Sequence, residues 1–204
     1  MALEYLRLGR SLSRFELMAA VVIIVFLIGL GIRKMLILAA YAERQFMEST
    51  VININTALRY RAGLYQLRGE WKKLAAMEGM NPFSLVTAET VFGGNRALTP
   101  DRMLEDYSEL QVLNLPSRYL GELDSPDPDT LPSGSWYFDH DAGLLVYVVT
   151  NTEFFTSVLS GPDRIRYRVT VEYQDNDHDG RYDPETDDFT GIEMKNLEGY
   201  RWVL

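Results

Sequence analysis

From Leu17 to Ile32 the chain runs through sixteen consecutive uncharged positions, all apolar or glycine. As α-helix, at 1.5 Å per residue, that run is about 24 Å long, approaching the hydrocarbon thickness of a bilayer. Beyond Arg33 and Lys34 the pattern changes. Met47, Val51, Ile54, Leu58, Ala62 and Tyr65 recur every three or four residues, which is one face of an amphipathic helix. The spacing predicts a helix from Leu17 to about Ala76, ended near Gly79 with Asn81-Pro82 just beyond. Such a helix must bury its second stripe, and a small sheet in the same chain is the expected partner.

After Pro82 the signals are mixed. Thr99-Pro100-Asp101 ahead of Met103-Leu104 reads as the capped start of a short helix. Leu115-Pro116 and the proline-rich Ser125–Pro132 read as loop, because proline supplies no backbone donor. From Ser135 the period becomes two. Trp136–Phe138 and Leu144–Val149 flank the turn-rich Asp139–Gly143, as in a hairpin. Arg164–Tyr173 alternates, with Ile165, Tyr167, Val169, Val171 and Tyr173 on one face, which predicts a half-buried antiparallel strand. Ile192–Met194 and Tyr200–Leu204 are two more candidates. The expected fold is α+β: a long N-terminal helix under a small antiparallel sheet. Its divisions are a leader 1–11, an apolar helix 12–42 and a globular domain 43–204, with helix to about 76, loops over 82–134 and sheet over 135–204.

Charge is divided unevenly. Residues 1–59 hold seven basic and four acidic side chains, and residues 60–204 hold thirteen and twenty-five, so the balance passes from +3 to −12. An acidic globular part argues against nucleic acid and for cations or basic partners. The chain has no cysteine, so no disulfide secures it. No phosphate-cradling loop, nucleophile elbow or dinucleotide fingerprint appears, and both histidines lie in acidic turns. A binding or assembly module is expected, not an enzyme.

One charge stands apart. Glu16 sits at the threshold of the apolar run, where a carboxylate is costly unless a cation meets it. The segment Ser11-Leu12-Ser13-Arg14-Phe15-Glu16-Leu17, behind a leader carrying Arg7 and Arg10, resembles the N-terminus of type IV prepilins and type II secretion pseudopilins. On that resemblance cleavage and N-methylation fall at Ser11 and Leu12, with Ser11 where the family usually has Gly. Glu16 then becomes the fifth mature residue, which pairs during assembly with the N-terminal amine of a neighbouring subunit. The resemblance implies a pilin-like fold and a minor pilin or pseudopilin, held as a single-pass inner-membrane protein with a periplasmic domain before joining a filament. Its implied partners are prepilin peptidase, an inner-membrane assembly platform, membrane lipid and other pilin subunits. A basic stretch before an apolar run also describes an uncleaved signal anchor carrying a periplasmic sensor or adhesin module.

A second loaded segment is Asp175-Asn176-Asp177-His178-Asp179-Gly180-Arg181-Tyr182-Asp183. Oxygen donors at positions one, three, five and nine, a Gly at six and the Arg181 carbonyl at seven give the spacing of a calcium loop. Position twelve is Thr186 rather than Glu, with Glu185 and Asp187 beside it, and strands flank the loop where an EF-hand has helices. The expected ligands are Asp175, Asp177, Asp179, Arg181, Asp183 and Asp187. Acidic residues also gather in solvated turns that bind nothing.

Overall fold

The computed structural model describes residues 14–85 and 115–204. The leader, Ser11, Leu12 and the short helix expected at Thr99 lie outside the described residues. The chain divides after Ala39 into two units. In the first, helix α1 (Arg14–Leu67) begins, and no residue from Arg14 to Ala39 is buried.

The second unit runs from Ala40 to Leu204. Here α1 turns a stripe inward: Ala40, Met47, Thr50, Ile54, Ala57, Leu58 and Ala62 are buried, while Val51 and Tyr65 are partly buried against the same core. Helix α1 stops earlier than its sequence spacing predicts, at Leu67 rather than near Ala76. Gly69 adopts φ +66°, its N–H donates to the Gln66 carbonyl, and the Glu70 N–H reaches back to the Tyr65 carbonyl at 2.8 Å. That pair of bonds is a Schellman end, for which glycine is the favoured left-handed residue. A separate short helix, α2 (Trp71–Ala75), follows.

The expected hairpin is β2 (Trp136–Asp139) with β3 (Leu144–Val148). The alternating strand is β5 (Arg164–Gln174), with Ile165, Tyr167, Val169 and Val171 buried. The candidates at Ile192 and Tyr200 fall in β6 (Asp188–Asn196) and β7 (Tyr200–Trp202). Two short strands escape the pattern, β1 (Tyr119–Leu123) and β4 (Phe155–Ser157). The main sheet has the order β1-β2-β3-β5-β6, and β4 pairs with β7 in a separate ribbon. The sheet is therefore mixed rather than antiparallel throughout, because β1 runs parallel to β2. β1 was masked by Gly121, which sits at φ +96° beside a register shift in that pairing; glycine inside a strand commonly marks such an irregularity.

Strand β3 is buried along its whole length. Leu145 and Tyr147 join the core that contains the α1 stripe, whereas Leu144, Val146 and Val148 join a second cluster with Tyr137. Leu123 and Leu131 close that outer cluster, so the proline-rich loop has a packing role. Beyond the reach of β3, β5 takes partners from the segment after α2. The Gly79 N–H donates to the Val169 carbonyl at 2.9 Å, and Glu78 Oε2 accepts from the Val171 N–H at 2.6 Å.

Candidate functional site

Two places carry unusual chemistry, one in each unit. In the first unit α1 is long and apolar enough to cross a membrane, and its most apolar window is entirely unburied. Val22, Ile23, Val25, Phe26 and Leu27 are each more than half exposed. Glu16 lies in the first turn of α1, where a carboxylate faces the positive end of the helix dipole.

The apolar run ends abruptly in charge. Arg33 and Lys34 are exposed, and apolar positions resume at once with Met35, Leu36, Ile37 and Leu38. At mid-bilayer the two cations would cost about 2.5–3.5 kcal/mol each, and less at the shallower depth that burying Leu36–Leu38 requires. Burying Leu36, Ile37 and Leu38 would return only about 1–2 kcal/mol in total. Leu17–Ile32 is therefore the uncharged part of the candidate membrane span.

The second place is the β5–β6 connection. Carboxylate oxygens of Asp175, Asp177 and Asp187 lie within 4.8 Å of one another. Asp187 is buried at 7% exposure, and its two oxygens accept the N–H groups of Asn176 and Asp183 at 2.9 Å each. Asp175 accepts the His178 N–H at 2.6 Å and the Gly180 N–H at 3.0 Å. These bonds close a turn in which His178 (φ 62°) and Gly180 (φ 76°) are both left-handed. Asp177 accepts from the Asp179 N–H and the Thr186 hydroxyl.

The remaining expected ligands are placed differently. Asp179 turns onto the Arg181 N–H at 2.7 Å and Asp183 onto the Glu185 N–H at 2.9 Å, and neither belongs to the close group. The loop thus draws together its first, third and thirteenth positions instead of its first, third, fifth and ninth. The cause is packing. Asp187 precedes β6 beside the Tyr173–Tyr182–Phe189 aromatic group, and this returns it against the start of the loop. Burial and the neighbouring carboxylates, Asp187 above all, hold the Tyr182 phenol above its ordinary range.

A second group is Asp124, His140 and Asp141; the sequence set His140 beside Asp141 in one acidic turn but did not bring Asp124 to them. His140 Nδ1 stands 3.7 Å from Asp124 Oδ1, Ser125 donates to Asp141, and all three are exposed. This is a solvated hairpin tip closed by its own hydrogen bonds. Nor did the sequence reveal Glu43, a charged residue of α1 whose carboxylate takes four hydrogen bonds from Tyr147, Thr150 and Asn151. Its only sequence signal is a carboxylate four residues before Met47, on the flank of the buried stripe.

No protein-family model matches the chain, and neither comparison with curated proteins nor comparison with solved structures gives a match.

Proposed function

We propose that this chain is a minor pilin or pseudopilin, a structural subunit of a type IV pilus or type II secretion pseudopilus. One observation carries the reading. A single helix, α1, has an N-terminal part, Arg14 to Ala39, in which no side chain is buried and the large apolar side chains of Leu17–Ile32 are exposed, and a C-terminal part whose stripe is buried under a sheet. Apolar surface of that extent requires lipid or neighbouring helices to cover it. Prepilin peptidase would cut between Ser11 and Leu12, with N-methylation of Leu12. Copies would then move from the inner membrane into a fibre through the assembly platform, with Glu16 meeting a neighbour's terminal amine. A desolvated carboxylate is tolerated when paired in this way, and the pairing sets register.

Calcium fits the β5–β6 loop. Three carboxylates converge within 4.8 Å, one of them buried, and hard oxygen donors at such spacing suit a divalent cation. Asp175, Asp177 and Asp187 would hold the ion, with Asp179, Arg181 and Asp183 shaping the loop around them. The ion would offset the repulsion among the carboxylates and secure the β-connection in a chain without disulfides.

N-terminal sequencing of the protein recovered from membranes tests the reading. A mature chain beginning at Leu12 supports it. An intact Met1 would replace it with a sensor or adhesin module on an uncleaved anchor.

A further inference from the structure

We propose that Arg33 and Lys34 form a lipid-phosphate collar, binding the anionic headgroup layer of a phospholipid membrane and setting the depth of α1. The inference rests on reading α1 as a membrane span and adds where the span ends and what holds it there. The two residues are adjacent, so their side chains leave the helix about 100° apart and cover two faces at one level. Both are exposed, and neither takes part in a salt bridge among the described residues. Large apolar side chains are exposed on either side, Leu30 and Ile32 before them and Met35 and Leu38 after. Hydrophobicity alone therefore does not mark a stopping point at Ile32, since exposed apolar surface continues to Leu38, two residues before Ala40 enters the core. The cations break that continuity. Their aliphatic stems lie along apolar surface while the charged heads reach outward to phosphate, and anionic lipid attracts such basic positions while the surface charge lasts within a Debye length. Arg33 contributes a planar fork that bridges phosphate oxygens, and Lys34 a compact point charge.

The chain has no cysteine, so single cysteines report depth cleanly. Val25→Cys and Leu38→Cys are reconstituted as full-length protein in vesicles of anionic phospholipid and treated with a charged, membrane-impermeant maleimide. The collar predicts that Leu38→Cys reacts and that Val25→Cys reacts slower by about an order of magnitude or more, since the reacting thiolate does not form in hydrocarbon. Adding Arg33→Gln and Lys34→Gln lets the helix sink, and labelling at Leu38→Cys falls toward the Val25→Cys rate. Replacing anionic by zwitterionic lipid moves the unaltered collar in the same direction. Protection of Leu38→Cys in the unaltered background overturns the proposal, as does labelling indifferent to the double substitution or to lipid charge. The span reading itself fails only if Val25→Cys also labels at the aqueous rate.

Discussion

Glu43 Oε1 accepts the hydroxyl of Tyr147 at 2.8 Å. This bond joins α1 to β3 across the core, and the same carboxylate also receives the Thr150 and Asn151 N–H groups at 2.6 and 2.9 Å. Replacing Glu43 by Ala strands these donors together with the Asn151 side-chain amide. Hydrogen bonds to charged groups contribute about 1.5–3 kcal/mol each when buried, less when half-exposed, so Glu43→Ala should cost about 2–4 kcal/mol. Denaturant unfolding in detergent, followed by tryptophan fluorescence, measures it. Trp136 stands 4.9 Å from Tyr147 and reports the site directly. A loss below about 0.5 kcal/mol would show that water replaces the carboxylate at little cost.

Alkaline pH should loosen the same region. Burial first, then the Glu43 charge, raises the Tyr147 phenol well above its ordinary range. Burial and the Tyr200 hydroxyl do the same for Tyr167. Both groups are neutral when folded and ionise near pH 10 when unfolded. Their contribution is therefore complete below about pH 10 and is lost as pH rises beyond it, by about 1.4 kcal/mol per phenol per pH unit. Tyr167→Phe should flatten the fall in stability between about pH 10 and 12. A slope identical to that of the unaltered protein would remove the Tyr167 phenol from the account.

The β5–β6 loop gives a metal test. Millimolar calcium should raise the melting temperature of the full chain, and Asp177→Ala should abolish the rise at little cost to the metal-free protein. Asp187→Asn should do more. Its buried carboxylate also holds two backbone N–H groups, so the metal-free protein should lose about 1–3 kcal/mol as well. Trp71 and Asp187 line one cavity of about 240 Å³, so the part of the tryptophan emission that Trp71→Phe removes is an independent reporter. No change in melting temperature between calcium and chelator would rule out the site.

Filament assembly should depend on Glu16. Glu16→Ala is expected to reach the membrane with a normal circular dichroism spectrum yet be missing from sheared or secreted fibres. Incorporation at the unaltered level would sink its assembly role.

Gly69 is the position that ends α1. A Cβ there meets nothing within 4 Å, so the cost of substitution is conformational rather than steric. Gly69→Ala should destabilise by about 1–2 kcal/mol, since an L-residue pays that to enter the left-handed region. Gly69→Asn should cost less, because asparagine tolerates the conformation better. Equal midpoints for both variants and the unaltered chain would show that the elbow does not need that backbone geometry.

Period and punctuation made much of this protein legible. The exposed apolar run, the stripe at Met47, Ile54, Leu58 and Ala62, the alternation in β5 and the β2–β3 hairpin all follow from which side chains recur at 3.6 or 2.0 residues. The acidic loop was visible as a spacing of aspartates around a glycine. Those features are local, and neighbouring residues are enough to specify them.

Long-range packing decided the rest. The parallel pairing of β1 with β2 joins segments separated by a proline-rich loop, and no period in Tyr119–Leu123 announces it. Spacing put the end of the first helix near Gly79, whereas the Schellman turn at Gly69 ends it earlier, and the buried Leu74 holds α2 to the core as a separate helix. The acidic loop closes on Asp187 rather than on Asp179 and Asp183, because β6 returns beside β5 and buries that one carboxylate at the loop's mouth. Sequence determined by itself which residues seek the core or lipid and which carry charge. Only the tertiary structure decided which charges meet, since meeting depends on how distant strands bring their ends together.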